Sequence, residues 1–200
     1  SCLLSSRSGV RVPPGRPSTP RVYPIRGLQV HEVYCSFCIM NAASRPLIIL
    51  VGTVTNTAEQ VARAIEMDCA GLIQPIEVHR MEGLDIRAFD RDALYVICSS
   101  THGAGDVPQN AQTLYESLGS EPRYLGHVRY GVIALGDSIY PNTFCHGGLR
   151  FDERLADLGA VRLGEVFRHD ASDGTDAVAA GVAWCRNWLA QCVKPSSIHI

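Results

Sequence analysis

The feature that most restricts the fold is a pair of unbroken apolar runs, Ala93-Leu94-Tyr95-Val96-Ile97-Cys98 and Gly131-Val132-Ile133-Ala134-Leu135. A strand with one face in water alternates apolar and polar side chains, whereas a strand covered on both faces reads as a continuous apolar run. A parallel sheet with helices on each side follows. Strands are predicted at 47–51, 75–79, 93–98, 129–135 and 162–167, with helices near 57–69, 109–118, 148–158 and 174–192. Val61, Ala62, Ile65 and Cys69 recur at helical spacing in the first helix, as do Val178, Val182, Trp184, Cys185, Trp188 and Leu189 in the last. Five strands and their helices make an α/β doubly wound sheet. Ligands of such sheets bind outside the carboxyl ends of the strands, so the loops after strands one, three and four should converge.

The first of these loops reads as a phosphate cradle. Ile48-Ile49-Leu50-Val51 runs through Gly52-Thr53-Val54-Thr55-Asn56-Thr57 directly into a helix. Free N–H groups at a helix N-terminus, with the positive end of its dipole, can hold a phosphate dianion, and threonine hydroxyls add donors. The nearest basic side chains, Arg45 and Arg63, fall outside the turn. The loop has neither the lysine of G-x-x-x-x-G-K-[ST] nor the glycines of G-x-G-x-x-G, so it lacks the cradles of nucleotide triphosphatases and dinucleotide enzymes. Threonines at alternate positions suit a single terminal phosphate, such as that of flavin mononucleotide (FMN). Turns rich in Ser and Thr also serve simply as N-caps, and on this loop alone the two readings stand level.

After strand three comes Ser99-Ser100-Thr101-His102-Gly103-Ala104-Gly105-Asp106-Val107-Pro108, and after strand four Gly136-Asp137-Ser138-Ile139-Tyr140-Pro141-Asn142-Thr143-Phe144-Cys145. Gly103 and Gly105 permit backbone conformations closed to other residues. Tyr140, preceding a proline, is held extended, so its ring can project. Taken in order, the three loops resemble those of flavodoxins, most closely the short MioC type, and the resemblance covers 47–192. Gly52 to Glu59 is similar to G-S-x-T-G-T-A-E, Ser100 to Pro108 to S-T-H-G-A-G-D-x-P, and Gly136 to Tyr140 with Phe144-Cys145 to G-D-S-x-Y followed by F-C.

The resemblance implies a flavodoxin-like sheet of order 2-1-3-4-5 and FMN as cofactor. It assigns Thr53, Val54, Thr55, Asn56, Thr57 and Ala58 to the phosphate loop. Ser100, Thr101, His102, Gly103, Ala104 and Gly105 form the second cofactor loop, and Leu135, Gly136, Asp137, Tyr140, Phe144 and Cys145 the third. Tyr140 would stack on the isoalloxazine, and the Gly103 peptide would turn a carbonyl towards the flavin N5. Asn56 stands where the family has Gly; Asn is the residue next most tolerant of a left-handed backbone. His102 stands where many relatives have an aromatic ring. Histidine changes charge near neutral pH, so His102 is a candidate for tuning the flavin potential, against the alternative of a solvated loop residue. Asp106, Asp137 and Asp170 are candidate loop-shaping or ring-edge acids. Cys145 reads as a packed small residue.

Residues 1–45 hold six Arg and one acid, leaving 12 bases and 19 acids in 46–200, a net charge of −7. An acidic domain without a basic stripe is a poor nucleic-acid binder and suits docking on a basic protein surface. The Arg-, Ser- and Pro-rich 1–45 segment is expected to be disordered, either a transit peptide or sequence upstream of a start at Met40, the latter preferred; 46–200 is the FMN-binding domain. Eight scattered Cys, with a lone Cys35-x-x-Cys38, indicate a reducing compartment and no metal. No run of about eighteen apolar residues offers a membrane span. The resemblance implies a monomeric cytoplasmic electron carrier, not an enzyme, served by an NADPH-dependent flavodoxin reductase and delivering to acceptors such as biotin synthase or another radical-SAM enzyme. A flavodoxin-like NAD(P)H:quinone reductase and a detached flavin subunit of a diflavin reductase are the alternatives. A response regulator would need an acidic pair after strand one, where this chain has Gly52-Thr53.

Overall fold

The computed structural model describes residues 45–120 and 123–192. The expectations for the 1–45 extension, including Met40 and the Cys35/Cys38 pair, lie outside the described residues, apart from Arg45 itself. The chain forms β1 (Leu47–Gly52), α1 (Thr57–Asp68), β2 (Ile76–Arg80), β3 (Leu94–Ser100), α2 (Gln112–Ser120), β4 (Arg129–Gly136), α3 (His146–Asp157), β5 (Val161–Arg162), β6 (Phe167–Asp170) and α4 (Ala177–Cys192). All strands pair in parallel, in the order β2-β1-β3-β4-β5, with β6 also on β4.

The apolar runs divide residue by residue between two cores, because successive strand side chains point to opposite faces. Leu47, Ile49 and Val51 of β1 join Val61 and Ile65 of α1 and Cys185, Trp188 and Leu189 of α4. Ile48 and Leu50 face the other way, with Leu114 and Leu118 of α2 and Phe151 and Leu155 of α3. Each central strand is thus buried on both sides, as the absence of polar alternation required.

The boundaries differ from the sequence reading where side chains compete with the regular ladder. The fifth strand, expected as one piece over 162–167, is two short strands separated by Leu163–Val166. Gly164 turns there with φ +75°, and the Trp188 indole N–H donates to the Leu163 carbonyl, taking an acceptor the ladder would use. The final helix begins at 177 rather than 174, where the Asp176 carboxylate accepts from the N–H groups of Val178 and Ala179 and so caps it. The third helix begins at His146 rather than 148, directly after Cys145, whose φ is +61°. The second opens with a 3-10 turn, Gln109–Ala111, and a further 3-10 turn, Ile86–Phe89, had no expectation. Strand three runs on to Ser100, so Ser99 and Ser100 belong to the strand and not to the loop.

On the β2 edge, the Glu77 carboxylate accepts from the Arg91 guanidinium at 2.8 Å and lies 3.1 Å from His79 Nε2. The Arg91 bond is the larger cause, and the Glu77 pKa is lowered to about 2. A depressed carboxylate pKa adds stability that is present above the unfolded value of about 4.3 and is lost as pH falls towards the folded one. Because both side chains are partly solvated, the pair contributes about 1 kcal/mol at most. Arg91→Ala should lower Tm slightly at pH 7, and its difference from the parent should shrink between about pH 4 and 2; a difference independent of pH would show the pair to be inert.

Candidate functional site

The three loops converge at the carboxyl ends of β1, β3 and β4, where they enclose a cleft of about 510 Å³. Thr55 and Thr57 line one end, Ser100, Thr101 and Gly103 one wall, and Leu135, Gly136, Asp137 and Tyr140 the other, with Thr143, His169 and Ala171 completing it. The volume lies within the range of small-molecule sites.

The phosphate-loop end is held from below by a residue the sequence reading did not single out. Asn110 Oδ1 accepts from the Thr53 N–H at 2.9 Å, and Asn110 Nδ2 donates to the Val51 carbonyl at 3.2 Å. Asn56 adopts a left-handed backbone, φ +66°, and its side chain makes no capping bond to α1. The first-turn N–H groups of α1 therefore lack the side-chain cap that an N-cap Asn ordinarily supplies. Thr55 Oγ1 and Thr57 Oγ1 lie 3.4 Å apart, while the Thr53 hydroxyl is buried without a hydrogen-bond partner.

The opposite walls are tied together. The Thr101 hydroxyl donates to the Leu135 carbonyl and accepts from the Gly147 N–H, which ties the second loop to β4 and to the first turn of α3. Asp137 Oδ1 accepts from the Ile139 N–H and the Ser172 hydroxyl, and Asp170 Oδ1 accepts from the N–H groups of Ser138 and Ser172. The hydrogen bonds to Asp170, led by Ser138, lower its pKa. These carboxylates shape the turn that carries Tyr140, whose ring stands exposed at the mouth. Asp106 is ion-paired with Arg150 at 2.8 Å.

Among the described residues twelve line the cleft, and none of them is Lys or Arg. Of the residues proposed from sequence, Thr55, Thr57, Ser100, Thr101, Gly103, Leu135, Gly136, Asp137 and Tyr140 are among them. Ala58 is buried in the core beneath the loop, and Val54 is exposed beside a neighbouring depression that also includes Arg80 and Asn110. His102 exchanges backbone hydrogen bonds with Asp106 and is exposed, like Ala104, outside the lining. Gly105 is buried at φ +94°. Phe144 packs on the core, and the buried Cys145 thiol donates to the Ala134 and His169 carbonyls, with its pKa raised by burial to about 11. Thr143 reaches the cleft from the loop after β4, where its N–H donates to the Tyr140 carbonyl, and His169 and Ala171 reach it without a sequence signal, because their approach depends on how β6 lies along β4.

Among the described residues no cluster of His, Cys, Asp and Glu could hold a metal ion. No helix among them is long and apolar enough to cross a membrane.

The family model for flavodoxin matches residues 49–184. Flavodoxin YqcA of Pectobacterium carotovorum subsp. carotovorum is 36% identical over 140 residues, 70% of this chain and 92% of that protein. A MioC homolog of Pasteurella multocida is 31% identical over 143 residues, covering 72% of this chain and 95% of its own length. Among solved structures, a cysteine-to-alanine variant of flavodoxin from Pseudomonas aeruginosa superposes with a TM-score of 0.63 at 29% identity, over 74% of this chain and 99% of that one.

Proposed function

The chain belongs to the flavodoxin family, and from that premise we propose that its cleft holds FMN and that the protein carries single electrons from a reductase to acceptor enzymes. The observation that carries this reading is the polar end of the cleft, an uncapped helix N-terminus with two lining threonine hydroxyls, and on the same loop the buried, orphaned hydroxyl of Thr53. Only one of the Thr55 and Thr57 hydroxyls can donate to the other, so donors remain there from which a phosphate dianion would accept. Bound FMN would provide the one-electron chemistry. Thr53, Thr55 and Thr57 would hold its phosphate, the 100–105 and 135–140 loops would flank its ring, and Tyr140 would cover an outer face.

An NADPH-dependent flavodoxin reductase as donor, and a radical-SAM enzyme such as biotin synthase as acceptor, are the partners this reading names. The net charge of −7 over 46–200 favours docking on basic surfaces around their redox centres. A reducing cytoplasm suits the buried free thiols of Cys69, Cys98, Cys145 and Cys185.

The test is to mix the full chain with FMN, desalt it, and record the visible spectrum during stepwise reduction by dithionite. A retained yellow chromophore passing through a one-electron-reduced species supports the carrier reading, and a colourless protein after desalting overturns it. Rapid bleaching by NADPH alone would indicate a quinone reductase instead. Tyr140→Ala should weaken FMN by about 0.5–1.5 kcal/mol beyond the lost contact area, roughly two- to tenfold in Kd. An unchanged Kd and potential would remove Tyr140 from the site.

A further inference from the structure

Among the described residues that line the cleft, His169 is the one that can carry a positive charge and Asp137 the one carboxylate. His169 lies in β6 opposite Leu135 of β4 and is only 6% exposed. Its Nδ1 lies 3.4 Å from Thr175 Oγ1, and the Thr175 hydroxyl donates to Asp173 Oδ1 at 2.6 Å. Thr175 has a single hydroxyl hydrogen. With that hydrogen committed to Asp173, its oxygen can only accept from the ring, which fixes the proton on Nδ1 and leaves Nε2 as the nitrogen that gains or loses one. A histidine ring held in one tautomer, buried at the wall of a ligand cleft, is more constrained than a core histidine needs to be.

The charged groups around the ring come from several elements. Asp137 directly follows β4, Arg168 and Asp170 flank His169 in β6, and Asp173 lies on the loop after it, with Asp176 capping α4. The Cys145 thiol before α3 donates to the His169 carbonyl at 3.7 Å and is kept neutral by burial. Asp137 and Asp170 are occupied by Ser172, Ile139 and Ser138, and Asp176 by the first N–H groups of α4. Among the described residues no Lys or Arg lines the cleft, so His169 is the titratable counter-charge that this lining offers to a negative charge arriving there.

We propose that His169 is the proton-linked group of this site, taking one proton from solvent at Nε2 for each electron that leaves a negative charge in the cleft. The proposal rests on the FMN reading. The electron comes from the donor protein, or from dithionite in vitro, and the proton from water, so the net charge of the cleft is unchanged by the step. Opposite charges at short range in a partly dry site stabilise one another far more than they would in water. The last reduction step is therefore favoured as pH falls. Thr175 and Asp173 are positioning residues, holding the ring in the tautomer that presents Nε2.

The experiment compares the FMN-loaded parent chain with His169→Gln and Thr175→Val. In the parent, the equilibrium constant of the last one-electron step should rise tenfold per unit fall in pH through the range in which His169 titrates, which is 59 mV per unit. His169→Gln, read on its FMN-loaded fraction, should abolish that slope. Thr175→Val, which leaves the ring in place, should displace the pH at which the slope begins. As a readout separate from the potential, the imidazole signals of His169, followed by NMR, should titrate at higher pH in the dithionite-reduced holoprotein than in the oxidised one. A slope that persists in His169→Gln, or that is lost instead in His102→Gln, overturns the proposal, as do identical His169 titrations in the two redox states. A parent chain that retains no FMN overturns the flavin reading and this proposal with it, whereas a yellow protein with an unchanged slope overturns the proposal alone.

Discussion

Replacing Thr55 and Thr57 together by valine is expected to weaken FMN binding by about 3 kcal/mol or more while changing riboflavin binding little. Valine keeps the shape of threonine and removes only the hydroxyl. Hydrogen bonds to a charged group are worth about 1.5–3 kcal/mol each, and about 1.4 kcal/mol is a factor of ten in Kd, so the loss should be at least roughly a hundredfold. The selectivity follows from placement. Both hydroxyls lie at the helix end of the cleft, 3.4 Å from each other, beside first-turn N–H groups that have no side-chain cap. Riboflavin has no phosphate to present there. The measurement is a pair of fluorescence titrations, FMN and riboflavin, on parent and double variant. Equal losses for the two ligands would mean that the threonines shape the loop and do not bind phosphate.

Gly147→Ala should lower stability by about 3 kcal/mol or more, at the upper end of overpacking costs, and so lower Tm by about 6–12 °C. Gly147 lies in the first turn of α3, and a Cβ there would stand 2.2 Å from the Ser100 carbonyl oxygen and 3.2 Å from Thr101 Cα. Those are backbone atoms at the end of β3, so no side chain can rotate out of the way. Relief requires α3 to withdraw from the sheet, which would also break the Gly147 N–H bond to the Thr101 hydroxyl. Because Ser100 and Thr101 line the cleft, FMN affinity should fall along with Tm. Gly71, where an added Cβ meets nothing within 4 Å, is the control, and Gly71→Ala should change stability by less than about 0.5 kcal/mol. A Gly147→Ala protein with the parent Tm would show that α3 is free to shift.

The strand positions were legible from sequence because each depends on a run of local apolar residues, and the convergence of three loops followed from the rule for parallel sheets. The left-handed backbone of Asn56, φ +66°, was legible through the resemblance, since the family has Gly at that position. The break in the fifth strand was not read, although Gly164 is a local cue for it; the other cause, the bond from the Trp188 indole to the Leu163 carbonyl, joins residues 25 apart. Asn110 was not singled out, because its role is to hold Val51 and Thr53 from 59 and 57 residues away.

The sequence by itself determined the α/β class, the burial of the central strands on both faces and the three loops that meet at their carboxyl ends. Each of these is written in short-range pattern: apolar continuity, helical spacing, and turn residues at fixed offsets. Only the tertiary structure decided which side chains of those loops reach the cleft. It turned Cys145 and Phe144 into the core, left His102 outside on a hairpin closed by Asp106, and brought in His169 and Thr143. The physical reason is that a side chain's exposure to a cleft depends on strand register and on hydrogen bonds across β4 and β6. Those contacts are made between segments distant in sequence, and no local pattern encodes them.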